Sequence, residues 1–311
     1  MADTSPFSDK TIERMKIAKL VIASLGSVLN IAVLLFIFTR KMYKKSYEFS
    51  YLNMAVSDLL FALVFVILVC PREFAKLADN AVCRATPFLE NYMSYVNLLC
   101  IIPITVDRII AVVFPVRYTT ATHRKTLLLV ILSCWLVPCL WTAGFSYHLY
   151  STTGAVVYFN NQTNCCHFKR CDPPESCAPF IYTLDVVTMI LPLVFNVVSY
   201  SLIMRVLQRA ADKISLNTKI VVARALLTSL TFSLSWMPFF VLIRILGHAN
   251  ALNYTLIMMF SPINTVTDPS LHIIPNDLIK AALQKIKVFD PQSIVLSATQ
   301  KVTKNMTSSA Q

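Results

Sequence analysis

Seven apolar stretches punctuate the chain, each near the ~20 residues that a helix needs to cross a bilayer. They are Leu20–Phe38, Phe49–Val69, Ala85–Val106, Thr126–Tyr147, Ala178–Met204, Ala225–Ile243 and Ala249–Pro275. The first, fourth and sixth contain no charge. The second carries only Asp58, the third only Glu90, the fifth only Asp185 and the seventh only Asp268. Unbroken apolar runs of this length are helical, because the strands of a membrane barrel alternate in polarity. Pro103, Pro138, Pro192, Pro238 and Pro269 fall inside these runs and predict kinks. The pattern therefore predicts an all-α membrane protein, a bundle of seven transmembrane helices over 17–275. Residues 1–16 are polar and show no cleavable leader, so the first span is expected to insert as an anchor. After Pro275, residues 276–288 are amphipathic and well capped, which predicts a short interfacial eighth helix. Residues 289–311 read as a disordered tail. Between the fourth and fifth spans, Ala155–Phe159, a turn at Asn160-Asn161, and Cys165–Phe168 predict a hairpin.

Composition agrees with this reading. Hydrophobic residues make up 56% of 311 and charged residues 14%, where a soluble domain carries about a quarter. Most of the 28 Lys and Arg fall on one side of the predicted membrane, among them Arg40, Lys41, Arg117, Arg124, Arg205, Arg209 and Lys219. That side is cytoplasmic by the positive-inside rule, which places the N-terminus outside. The net charge of +12 then reflects topology and attraction to anionic membrane lipid, and does not call for a nucleic acid. Cys83, Cys165, Cys166, Cys171 and Cys177 fall on the outer, oxidising side. The sequons at Asn161 and Asn253 are external too and are expected to be glycosylated, whereas the one at Asn305 is internal.

Nearly every span also carries a recognisable residue set. The first has Asn30 and Val33, and the second Asn53-Met-Ala-Val-Ser-Asp58-Leu-Leu. The third has Cys83, Asp107 and Arg108, followed by Pro115-Val-Arg-Tyr118. The fourth has Trp135 and Pro138, the fifth Pro192 and Tyr200. The sixth has Phe232-Ser-Leu-Ser-Trp236-Met-Pro238, and the seventh Asn264 and Asp268-Pro269. In this order and spacing the chain resembles the rhodopsin-like G-protein-coupled receptors over residues ~17–288. There are departures. The family's Asp-Arg-Tyr is Asp107-Arg108-Ile109, its seventh-helix tyrosine is His272, and Thr218 stands where many members have an acidic partner for the arginine. The last of these leads us to expect a weak lock between the third and sixth helices and raised basal activity.

The resemblance implies roles. Asp107 and Arg108 would control access of a heterotrimeric G protein at the cytoplasmic face, with Tyr200 and His272 acting in the active state. Asp58, Asn97, Asn264 and Asp268 would form a cavity for Na⁺ and water, the alternative being a polar network without an ion; oxygen ligands suit such a hard cation. Trp236 with Phe232, above the Pro238 kink, would form a packing switch. Cys83 would be tethered to the second outer loop, with Cys166 or Cys165 as the partner by position and Cys171 next. Serine and threonine residues in the tail would recruit a receptor kinase and arrestin. The setting implied is the plasma membrane, crossed several times.

The ligand is the open question. Glu90 lies one heptad after Cys83, on the same face, where amine receptors carry an aspartate. With Asp185 it puts two carboxylates in the outer half of the bundle, which points to a cationic ligand group, an amine or a peptide. The alternative is an internal ion pair with Arg244. Asn91, Ser94, Tyr95, Trp236, Phe239, Phe240 and Met258 would line the same cavity. Three rivals were weighed. Photoreception by retinal needs a seventh-helix lysine, and residues 249–275 contain none. A seven-helix transporter or channel would show repeats or a charged pathway. An enzyme is disfavoured because the five histidines are scattered.

Overall fold

A computed structural model describes residues 6–42, 46–69, 81–118, 121–160, 165–168, 186–209, 216–245 and 259–275, with Thr183, Leu256 and Ile279. The expected eighth helix and tail, Asn161, Asn253, Asp185 and Met258 lie outside the described residues.

The chain forms α1 (Pro6–Thr39) and α2 (Ser46–Val64), which runs into a π-helical turn at Phe65–Val69. α3 comes in two segments, Ala81–Leu99 and Ile101–Val113, and a one-turn helix follows at Pro115–Tyr118. α4 is Ala121–Thr153. A second π-helical turn, Val186–Ile190, leads into α5 (Leu191–Arg209), followed by α6 (Leu216–Ile245) and α7 (Asn264–Ile273). Among the described residues, six helices are long and apolar enough to cross a membrane. The seventh expected span is represented by α7.

Two boundaries differ from the sequence reading. α1 starts at Pro6, so most of the polar segment 1–16 is helical. At 1.5 Å per residue its 34 residues reach about 51 Å, well beyond a ~30 Å hydrocarbon layer. α2 starts at Ser46, which brings Glu48 into the helix, where it is 1% exposed. Counting only apolar residues had left it in the loop.

Polar side chains are buried inside the bundle beside an apolar core, and much of the outer face is apolar. On α1, Val21, Val28 and Leu35 recur every seven residues and are exposed, while Ala23, Ser27, Asn30, Val33 and Ile37 are buried. Exposed apolar surface of this extent marks a face made for lipid. α1 packs on α2 and α7, α3 on α5, and α6 on α7.

Prolines dictate two of the ties between helices. Pro269 has no N–H for the carbonyl of Thr265, one turn back. Asn30 Nδ2 on α1 donates to that carbonyl instead, at 2.8 Å, and also to Gly26 O at 2.9 Å. Pro103 likewise frees the carbonyl of Leu99, and the Cys134 thiol of α4 donates to it at 3.3 Å. Asn53 joins the same seam. Its Nδ2 donates to Cys100 Sγ at 3.2 Å and its Oδ1 accepts from Trp135 Nε1 at 2.9 Å.

The hairpin is present, slightly shifted. β1 (Val157–Asn160) and β2 (Cys165–Phe168) are antiparallel, with Asn160 opposite Cys165 and Phe159 opposite Cys166. Asn160 is thus the last paired residue and not part of the turn. Both strands lie against α3.

Gly26 sets the distance between α1 and α7, because a Cβ there would fall 2.1 Å from Thr265 Oγ1. Gly26→Val should cost about 1–3 kcal/mol of stability through overpacking and lower the melting temperature of the detergent-purified protein. A melting temperature equal to that of the parent would show that the seam can open at no cost.

Candidate functional site

Three groups of side chains lie along the bundle axis. The first is at the end that carries Arg108. Asp107 is buried and makes an ion pair with Arg108, which is only 4% exposed. The other oxygen of Asp107 accepts from Ser46 Oγ of α2 at 2.8 Å and lies 3.0 Å from His123 Nε2 of α4. Ser46 Oγ and His123 Nε2 are themselves 2.7 Å apart. Arg108 lies over the Tyr47 ring, 5.4 Å from its centre, and its Nη2 is 3.4 Å from the Tyr118 hydroxyl. The Tyr118 and His123 rings meet at 4.7 Å. The Tyr118 phenol, half-buried and near the Asp107 carboxylate, has its pKa raised above the usual value, first by burial and then by that charge. Arg108 is therefore enclosed by groups from α2, the one-turn helix and α4.

Nearby, His272 fills the position expected for tyrosine. It is buried, its Nε2 stands 3.5 Å from Glu48 Oε2, and its ring lies 5.0 Å from that of Tyr51. Just past the end of α7, Ile274 O accepts from Arg224 of α6 at 2.7 Å. Tyr200 is buried in the main core.

The second group sits at mid-depth. Asn97 of α3 donates to Asp58 of α2, while Asn264 of α7 donates to Asp58 at 3.4 Å and to Asn97 Oδ1. Asp268 lies one turn further along α7 and is buried. Among the described residues, both its carboxylate oxygens, Asp58 Oδ2 and Asn264 Oδ1 have no hydrogen-bond partner. The four residues expected to act together thus come from three helices, and three of them are directly bonded.

Above this network, Trp236 and Phe232 are buried, with ring centres 6.5 Å apart, and Pro238 lies inside α6 as expected. Trp236 packs on Phe61 at 5.9 Å, and Phe61 meets Phe65 edge-on at 5.1 Å. Phe65 in turn carries Lys19 Nζ 5.7 Å from its ring centre. Lys19 is fully buried, at 0% exposure. It lies one residue before the apolar run Leu20–Phe38.

The third group is the outer half of α3. Glu90 precedes Asn97 by seven residues, so it faces the same interior about 10 Å further along the axis. Ser94 Oγ donates to Glu90 O at 2.7 Å, Asn91 Nδ2 to Pro87 O at 2.8 Å, and the Tyr95 hydroxyl to Asn91 Oδ1 at 3.1 Å. These residues are half-buried. Of the other expected lining residues, Phe239 and Phe240 belong to α6, but their side chains lie outside the described residues, as do those of Arg244, Cys83 and Cys166.

Sequence reasoning missed Lys19, Ser46, Tyr47, Glu48 and His123. A charged residue within one turn of an apolar run was the available signal for Lys19 and Glu48. Ser46 and His123 gave none, since only the folded chain brings them to Asp107.

Residues 29–272 match the model of the family described as 7 transmembrane receptor (rhodopsin family). Human lysophosphatidic acid receptor 4 is 31% identical over 229 residues, covering 70% of this chain and 59% of that receptor. The chain thus spans about three fifths of that relative. Rat somatostatin receptor type 4 is 24% identical over 275 residues, covering 86% of this chain and 70% of the receptor. Mouse C-X-C chemokine receptor type 5 is 27% identical over 235 residues, 74% of this chain and 60% of the receptor. The crystal structure of squid rhodopsin superimposes with a TM-score of 0.70 at 17% identity, covering 92% of this chain and 82% of that one, a likeness of fold. With the family model spanning most of the chain and the bundle arranged as that family requires, this multi-pass membrane protein belongs to the rhodopsin family of seven-transmembrane receptors.

Proposed function

We propose that the chain is a plasma-membrane receptor that binds an extracellular ligand in the outer half of the bundle and activates a heterotrimeric G protein at the Arg108 end. The observation that carries this reading is the enclosure of Arg108. A buried arginine paired with Asp107, which is itself anchored by Ser46 and His123, is a cation stored away from the surface. Its release would open a basic contact for a G protein, and later for arrestin once a kinase has modified the tail. The enclosure also replaces the expected lock to the sixth helix. Thr218 therefore does not imply high basal activity, because the tie to the arginine runs through α2 and α4.

Glu90 is the anchor we assign to a cationic ligand group, an amine or a basic peptide side chain. It faces the interior above the mid-depth network, so a ligand seated on it would press toward Trp236. A second reading has its own observation. Lys19 puts a cation inside the first span, and a buried charge in such a place is costly unless it serves a function. Lysophosphatidic acid, the ligand in the name of the 31% identical relative, carries the matching anion. The orphaned oxygens of Asp58, Asp268 and Asn264 fit a hard cation. We assign Na⁺ to them, held by these groups with Asn97, where it would favour the resting arrangement.

A cellular G-protein dissociation assay at matched surface expression tests this reading. Arg108→Ala should abolish activation. Ser46→Ala or His123→Ala each removes one hydrogen bond to a charged group, worth about 1.5–3 kcal/mol, and should raise basal signalling by about tenfold or more; unchanged basal signalling would reject the enclosure as a restraint. In the same assay, Glu90→Gln should eliminate responses to cationic amines or peptides and leave any response to lysophosphatidic acid intact. Lys19→Gln should do the opposite, and whichever variant spares every active ligand loses its assigned role. For the ion, Asp58→Asn should remove the dependence of agonist potency on Na⁺; a persisting dependence would place Na⁺ elsewhere.

A further inference from the structure

Between α3, α5 and α6 lies a cleft of about 110 Å³ that reaches the Phe232–Trp236 pair from the side of the bundle. Its floor is made by Ile101, Phe232 and Trp236, all buried. Its rim is made by Leu193, Leu234 and Met237, which are 43%, 67% and 55% exposed. The rim residues are inside spans: Leu193 is seven residues beyond Val186, and Met237 eight before Ile245. Each is therefore about 10 Å from the near end of its helical stretch. What lies outside the mouth at that depth is hydrocarbon, and the neighbouring Ile190, Leu191, Val194 and Val197 are exposed apolar residues as well.

The lining is mostly apolar, with Thr188, Asn196 and Ser233 as its polar residues. Asn196, the polar residue at its α5 wall, has both ends of its amide engaged: Nδ2 donates to Pro192 O at 2.8 Å, and Oδ1 accepts from Thr105. Water entering there would find few partners, and an apolar cavity without partners admits hydrocarbon in preference. The volume, about 110 Å³, is about three quarters of the ~150 Å³ apolar cavity that takes a benzene ring. It suits the last few carbons of one chain and not a whole lipid. The opening has a local cause in the π-helical turn Val186–Ile190 just before Pro192. It changes the helical register where α5 passes the cleft, and such turns recur at functional sites.

We propose that this cleft binds the terminal segment of an acyl chain of a bilayer phospholipid, which enters between α5 and α6 and contacts Phe232 and Trp236 from the membrane side. The site is separate from the ligand position at Glu90, and its occupant arrives through the lipid. It gives the bilayer a direct hold on the aromatic pair above the Pro238 kink.

The test uses the full chain in nanodiscs of phosphatidylcholine containing a small fraction of the same lipid with a diazirine at the chain end. After photolysis, labelled residues are mapped by mass spectrometry. Labels on the buried floor residues Ile101, Phe232 or Trp236 are expected, since these are reached only by a chain inside the cleft. Labelling of the α1 lipid face at Val21 and Val28 serves as the internal reference. Ser233→Phe, which fills the cleft, should cut floor labelling at least fivefold relative to α1. Should that variant not fold, Met237→Trp narrows the mouth with the same expected loss. Labels confined to exposed residues, or floor labels that no cleft substitution reduces, would overturn the proposal. Neither outcome depends on an agonist or on signalling, so failure here leaves the receptor reading standing.

Discussion

A backbone carbonyl freed by proline inside a membrane has no water to turn to. It must be satisfied by the protein or it costs several kcal/mol. Much of this bundle is organised around that constraint. Pro269 frees the carbonyl of Thr265, and Asn30 from α1 occupies it. Pro103 frees that of Leu99, and the Cys134 thiol from α4 takes it. The kinks that let helices diverge thus create the bonds that hold their neighbours. Polar residues point inward for this reason, and the outward faces can be purely apolar.

The interior polar groups then fall into a hierarchy of connection. At mid-depth, Asp58, Asn97 and Asn264 join three helices with bonds that any relative rotation would disturb. Toward the Arg108 end, Asp107 collects partners from α2 and α4, and His272 turns toward Glu48 and Tyr51. Toward the other end the contacts become aromatic, running from Phe232 through Trp236 and Phe61 to Phe65. Hydrogen bonds have discrete alternatives, whereas ring contacts slide. A change imposed on the aromatic side therefore arrives at the polar side as a choice between bonded arrangements.

Much of this was legible in the sequence, for identifiable reasons. The spans follow from hydrophobic length. Asp58, Asn97, Asn264 and Asp268 are polar residues within apolar runs, and the family resemblance grouped them. Pro238 and Trp236 were legible by their spacing. What escaped notice lies at the ends of the runs. Glu48 and Lys19 looked like flanking charges, since hydrophobicity fades gradually while burial ends abruptly. Ser46 and His123 reach Asp107 only because α2 and α4 converge on α3, and pairing across 61 and 16 residues leaves no local trace. The expectation of a weak lock between the third and sixth helices was silent on these ties for the same reason. It considered one conventional partner, on the sixth helix, and the chain supplies others. In the hairpin, Asn160-Asn161 reads as a turn by propensity, yet register with Cys165 claims Asn160 for the strand.

Gly26 carries one more implication. With Thr265 Oγ1 where its Cβ would be, and with Asn30 bridging the same seam, α1 and α7 have no freedom to slip past one another. They behave as one stiff beam. α1 continues as helix to Pro6, well past the hydrocarbon, so this beam has a long handle on the outer side. A tilt of α7 of a few degrees at mid-membrane is magnified along that handle to displacements of several ångströms at its tip. The polar N-terminal turns are thereby a natural pointer to the seventh helix, visible from the aqueous phase.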